Sequence, residues 1–121
     1  MLSFESFVEL LSKELNGQFS VYSNDRYFEV NIKKDSVYSL IKYLNENKKQ
    51  NFNQLIDITA IDYPSRELRF DVIYILLSLS LNQRVVVKTS LKEKDILESI
   101  TSIYKAANWY ERECYDLFGI K

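Results

Sequence analysis

Between Leu55 and Val87 three apolar runs alternate with two sets of turn-forming residues, and this spacing commits the middle of the chain to a sheet. Leu55, Ile56, Ile58, Ala60 and Ile61 make a strand that stops at Pro64-Ser65, because proline has no N–H to give a ladder and suits the turn of a hairpin. Leu68 to Leu79 is the expected partner, with Leu68, Phe70, Val72, Tyr74 and Leu76 alternating before the run turns apolar on both faces. Asn82 and Gln83 mark the next turn, and Val85-Val86-Val87 give a third strand. The longest apolar stretch, Val72 to Leu81, is interrupted by Ser78 and Ser80 and falls far short of the roughly 20 residues a membrane-crossing helix needs. It reads as buried strand, so no direct membrane span is expected.

The flanks read as helices and a hairpin. Phe4, Phe7, Val8, Leu11 and Leu15 recur at helical spacing behind Ser3, a good N-cap, and Gly17 sits where that helix should stop. Gln18 to Ser23 and Arg26 to Ile32 are rich in Tyr, Phe and Val and flank Asn24-Asp25, a pair suited to the positive φ of a tight turn. Asp35 is the expected cap of a second helix, whose apolar stripe is Val37, Leu40, Ile41 and Leu44. Ser90-Leu91-Lys92-Glu93 has the form of a capping box, opening a third helix with Ile96, Leu97, Ile100, Ile103, Tyr104 and Ala107 on one side. Asn108 should break it, and Trp109 to Phe118 should resume as a shorter helix stopped by Gly119. The expected architecture is a single α+β domain over residues 1–121, a mainly antiparallel sheet with helices packed on one face.

Composition removes whole classes of chemistry. At 121 residues there is room for one core, and a formal net charge of -1 gives no electrostatic case for nucleic acid. The sequence contains no histidine, so the usual near-neutral proton shuttle and commonest metal ligand are missing. One cysteine, Cys114, cannot alone make a zinc site or hold an iron–sulfur cluster. Two glycines, Gly17 and Gly119, are too few and too far apart for a dinucleotide fingerprint or a phosphate loop. No catalytic, cofactor-binding or metal-binding residue is expected in this chain. The N-terminus has an early acid and no basic region, so no signal or transit peptide is visible.

The segment Trp109 to Gly119 is the candidate site. Glu111, Arg112, Glu113 and Asp116 cannot all be buried without matching charges, while Trp109, Tyr110, Tyr115 and Phe118 are much apolar surface to leave wet. Trp109, Tyr110, Glu111, Arg112, Glu113, Asp116 and Phe118 are therefore read as a segment gripped by a partner, with Arg112 placed to bind a carboxylate bidentately. Glu111 and Glu113, two apart on a helix, point to different sides and do not converge for acid–base work. Asp57 and Asp62 lie on opposite faces of one strand, which argues against a metal site with Asp71. Arg66 and Arg69 are better explained as hairpin partners of the nearby Asp62 and Asp71. Cys114, among acidic neighbours, reads as a packed residue with a raised thiol pKa.

Four segments, Leu55 to Pro64, Arg69 to Tyr74, Asn82 to Thr89 and Ala106 to Glu113, resemble the 30-kilodalton subunit family of respiratory complex I. Its signature of Glu-Arg-Glu, two residues, an acid and two apolar residues is met by Glu111, Arg112, Glu113, Asp116, Leu117 and Phe118. The match is specific over residues 55–120 and agrees only in pattern over 1–50. The resemblance implies a cofactor-free subunit in the quinone module of the peripheral arm, on the matrix side of the mitochondrial inner membrane. It would pack against the quinone-site subunit, itself similar to hydrogenase large subunits, and lie near iron–sulfur subunits. FMN and the iron–sulfur clusters would reside in those neighbours, and the whole complex would move electrons from NADH to ubiquinone and translocate protons. Two rival readings are the equivalent subunit of a membrane-bound hydrogenase-type complex and a small independent enzyme using acidic residues 111–116. The family continues past the glycine into an arginine-bearing tail that wraps its neighbours, whereas here Lys121 is last. The resemblance thus implies either that a second polypeptide supplies the tail or that the tail has been lost.

Overall fold

The structure, a computed structural model, describes residues 3–14, 19–47 and 51–118. The elements run α1 (Phe4–Glu14), β1 (Phe19–Ser23), β2 (Tyr27–Ile32), α2 (Lys34–Glu46), β3 (Gln54–Asp62), β4 (Phe70–Ser78), β5 (Gln83–Leu91) and α3 (Ala107–Phe118). One five-stranded sheet has the order β1-β2-β5-β4-β3. The β3–β4–β5 meander expected from the turn residues forms, and β1 pairs antiparallel with β2. Only β2 against β5 is parallel, because β5 returns to the middle of the sheet after α2 has crossed to its far edge. The α+β class is as expected.

Alternation sorts the sheet into two faces. Phe28, Val30, Ile32, Val85, Val87, Val72, Tyr74, Leu76, Ile58 and Ala60 all bury toward one side, where they meet Phe7 and Leu11 of α1 and Val37, Leu40, Ile41 and Leu44 of α2. The Phe7 and Phe28 rings lie 5.0 Å apart, which fixes α1 over β2. Each fully buried Leu or Ile contributes about 1.5–3 kcal/mol of transfer free energy, so this face carries the fold. On the opposite face Ile73, Ile75 and Leu77 are half-buried and Ile61 is exposed; no described helix covers it.

Several local expectations are corrected. Ser3 does cap α1, its Oγ accepting from the Ser6 N–H at 3.2 Å, while Leu15, Gly17 and Gln18 lie outside the described residues. The Asn24-Asp25 turn needs no positive φ: the Asn24 side-chain oxygen accepts from the N–H groups of Arg26 and Tyr27 and closes the turn itself. Asp35 is not the cap of α2 but a residue of its first turn; Lys33 holds the N-cap position and makes no side-chain cap bond.

The largest correction is at residues 92–106, which form turns and irregular chain rather than a helix. Ser90 and Leu91 do not cap anything, because both are in β5, opposite Asp71 and Phe70 of β4. Lys94 then takes φ 73°, which a helix interior does not admit. The segment is a strap laid across the helical layer. It is pinned by Lys34 Nζ to Asp95 at 3.0 Å, by Tyr38 Oη to Ser102 Oγ at 3.1 Å, and by the Tyr104 hydroxyl donating to the Phe52 carbonyl. Ile100 and Tyr104 bury as the apolar pattern predicts, but Ile96 is 72% exposed. Asn108 does not break a helix; it lies in the first turn of α3.

Candidate functional site

Helix α3 has two faces, set by its residue order. Ala107, Tyr110, Glu111 and Cys114, at i, i+3, i+4 and i+7, turn toward the sheet. Ala107 is fully buried, and the Cys114 thiol donates to the Ile58 carbonyl of β3 at 3.7 Å. Burial pushes that thiol up to about 11, with Asp57, Glu113 and Glu111 adding to the rise. At neutral pH Cys114 is a small packed thiol and a poor nucleophile.

Glu111 is the anchor of this face. Its carboxylate accepts from Ser99 Oγ at 2.7 Å, from the Ile100 N–H at 2.9 Å and from Thr101 Oγ1 at 3.3 Å. It thereby ties the strap to α3. No local signal in the sequence pointed to Ser99, Ile100 and Thr101 as its partners, because the same residues carry a helical apolar pattern and lie 10–12 positions away.

The opposite face carries Trp109, Arg112 and Glu113, at i, i+3 and i+4. Trp109 is 65% exposed, and Arg112 and Glu113 are exposed with no ion pair among the described residues. Glu111 and Glu113 do diverge, one bonded inward and the other in solvent, so they form no catalytic pair. Asp116 follows on α3 at i+7 from Trp109; its side chain and that of Phe118 are outside the described part, as is Gly119.

At the β3–β4 turn the acids and arginines pair within the hairpin as their spacing suggests. Asp62 receives both Arg69 Nε at 2.7 Å and Arg69 Nη2 at 2.9 Å, and this guanidinium holds its carboxyl below the ordinary range. Asp71, buried in β4, accepts from Arg66 and from Ser90 Oγ at 2.7 Å, with Lys88 Nζ at 3.6 Å. Burial alone would raise the Asp71 carboxyl, but Arg66, Ser90 and Lys88 outweigh it and its pKa is lowered. Arg66 also lies over the Tyr63 ring, 4.1 Å from its centroid. Among the described residues no three acidic, cysteine or histidine side chains converge where a metal ion could sit.

Residues 30–121 match the family model described as respiratory-chain NADH dehydrogenase, 30 Kd subunit. The chain belongs to this family. The match starts inside β2 and so takes in α2, the meander and α3, more than residues 55–120 that carry the specific resemblance. A subunit of the NADH-quinone oxidoreductase of Sinorhizobium medicae is 41% identical over 120 residues, covering 96% of this chain and 60% of that protein. The mitochondrial NADH-ubiquinone oxidoreductase 30.4 kDa subunit of Neurospora crassa is 43% identical over 103 residues, covering 85% and 36%. The chain thus spans less than two thirds of the length of these relatives. A chain in the structure of the membrane-bound sulfane sulfur reductase, an archaeal respiratory membrane complex, superposes with a TM-score of 0.81 at 26% identity, over 97% of this chain and 68% of the other. In this member of the 30 Kd family the Glu-Arg-Glu run is split by the helix: the first acid is bonded inward, and the arginine and second acid face out.

Proposed function

We propose that this chain is a non-catalytic, cofactor-free subunit of the peripheral arm of an NADH:quinone oxidoreductase, in the module that delivers electrons to quinone. It acts by packing against the quinone-site subunit and its iron–sulfur neighbours, which hold the FMN and clusters. The observation that carries this reading is the outer face of α3, where an exposed Trp109 stands beside Arg112 and Glu113, both without an ion-pair partner among the described residues, on a helix locked from behind by Glu111. Aromatic and arginine side chains on a rigid element are what a binding hot spot uses. The donor inventory supports the cofactor-free role, since the sequence has no histidine and its one cysteine is buried against Ile58. A Neurospora relative that is mitochondrial supports placement in the mitochondrion, and we propose the matrix side of its inner membrane. No described helix is long and apolar enough to cross a membrane, which suits attachment through other subunits.

The test is Arg112→Ala in the intact complex. Assembled complex, read on native gels, is expected to fall while turnover per assembled complex stays at the wild-type level. Normal assembly with a specific loss of quinone reductase turnover would contradict the proposal. The likeness to a chain of an archaeal respiratory membrane complex favours a second reading, the equivalent subunit of a respiratory membrane complex that is not an NADH dehydrogenase. Co-purification separates the two: an NADH-oxidising flavoprotein among the partners supports the first, and a membrane complex without one supports the second.

A further inference from the structure

Where β3, β4, the strap and α3 meet, a narrow pocket of about 90 Å³ lies on the helix-covered side of the sheet. Ile58, Val72 and Leu97 give it apolar walls, while Tyr74, Ser99 and Glu111 bring polar groups to it. Tyr74 is 2% exposed, because alternation along β4 turns its ring to the core side with Val72 and Leu76. The phenol reaches the pocket rather than a protein partner: its hydroxyl makes no hydrogen bond among the described residues. Tyr104, the other buried tyrosine among them, differs in donating to the Phe52 carbonyl. Burial raises the Tyr74 phenol above its ordinary value, and the nearby Glu111 and Cys114 add to the rise, so the hydroxyl keeps its proton and remains a donor.

The groups around that hydroxyl are unequally committed. The Cys114 thiol is given to the Ile58 carbonyl, and Ser99 Oγ to Glu111. Glu98 also lines the pocket but is exposed, where bulk water solvates it. Within the Glu111 carboxylate, Oε1 accepts from both Ser99 and Thr101, whereas Oε2 accepts from the Ile100 N–H. A carboxylate oxygen has two lone pairs, so Oε2 keeps one to spare. A buried donor left dry is costly, and about 10–15 Å³ already admits a water molecule where two to four polar partners are at hand. This pocket exceeds that volume several-fold and offers a donor and an acceptor.

We propose that this pocket is a binding site for ordered water, in which one molecule accepts from the Tyr74 hydroxyl and donates to Glu111 Oε2. The bridge joins β4 to α3 and extends the anchor of the strap into the sheet. It is internal to the chain and independent of which complex holds it. The test is Tyr74→Phe in the full chain, which removes the hydroxyl and keeps the ring. Magnetic relaxation dispersion of solvent oxygen nuclei counts the waters that a protein holds. Tyr74→Phe is expected to hold one fewer than the parent, and Thr101→Ala, which removes a Glu111 partner that does not line the pocket, the same number. Tm is expected to fall by about 3–5 °C for Tyr74→Phe in the parent. In the Glu111→Gln background the fall should be about half of that, because a charged acceptor roughly doubles a hydrogen bond. A count of held waters that Tyr74→Phe leaves unchanged, or that Thr101→Ala lowers equally, overturns the proposal. Thermal coupling that persists with an unchanged count assigns a direct Tyr74–Glu111 bond in place of the water. Equal Tm losses in the two backgrounds also overturn it, since Tyr74 would then act without Glu111.

Discussion

Replacing Glu111 with alanine is expected to destabilise the chain by about 2 kcal/mol, although the residue is only half-buried. Three donors converge on its carboxylate, but they are not equivalent. Ser99 and Thr101 are exposed, so their hydroxyls rebond to water at little net cost. The Ile100 N–H is different, because Ile100 itself is fully buried and its amide has no other acceptor placed for it among the described residues. A hydrogen bond to a charged acceptor contributes about 1.5–3 kcal/mol, and that one bond supplies most of the loss. For a domain between the small and mid-sized ranges, each kcal/mol moves Tm by about 3–5 °C, so Tm should fall by about 6–10 °C. Glu111→Gln keeps an acceptor oxygen without its charge and should lose roughly half as much. Far-UV circular dichroism melts of the variants, with amide exchange at Ile100, test this directly. The exposed Arg112→Ala should stay within about 0.5 kcal/mol of the parent. A Glu111→Ala variant as stable as Arg112→Ala would refute the assignment of Glu111 as the anchor of the strap.

Other expectations follow from the titrating groups and the two arginines of the hairpin. The Cys114 thiol has a folded pKa raised from 9.0 to about 11, so its contribution is complete below pH 9 and is lost as pH rises from 9 through 11; urea midpoints measured across that range should decline, and less so for Cys114→Ala. At neutral pH the same thiol should resist iodoacetamide until the chain is unfolded. Asp71 has a lowered folded pKa, so its contribution is present above 3.8 and is lost as pH falls below that value. Arg66→Ala leaves this buried carboxylate with Ser90 and Lys88 only; it should cost about 1–2 kcal/mol, discounted for the exposed guanidinium, and move the acid-unfolding midpoint to higher pH. An acid midpoint unchanged by Arg66→Ala would mean that the pair contributes nothing.

What local sequence can and cannot show is clear from the two halves of the meander. Pro64 and Asn82 punctuate strands whose apolar positions alternate, and both signals lie within a few residues of the structure they specify. The strap failed for the opposite reason. Ser90-Leu91-Lys92-Glu93 has every local mark of a helix start, but Ser90 and Leu91 complete the ladder against β4, and Ser90 Oγ is committed to Asp71, 19 residues away. A non-local pairing overrode a local propensity. The parallel β2–β5 contact was hidden likewise, since more than fifty residues separate Phe28 from Val85. In α3 the sequence identified the segment and the divergence of Glu111 from Glu113, but not which acid turned inward, because Glu111 is bonded to a strap that the pattern presented as a helix.

The two faces of α3 are coupled through rigidity, and that coupling separates two ways of losing assembly. Holding an interface side chain in place on binding costs about 0.5–1.5 kcal/mol for each one newly immobilised. Glu111 fixes α3 against the strap before any partner arrives, so Trp109 and Arg112 are carried on a helix whose position is already set. Loss of that anchor affects recognition only through order, while loss of Arg112 removes the contact itself. Growth at lower temperature, where more of the Glu111→Gln chain is folded, should therefore restore assembled complex for Glu111→Gln and leave Arg112→Ala deficient. Equal recovery of both variants would show that Arg112 also acts through folding, and the outer face of α3 would then lose its claim to be the contact surface.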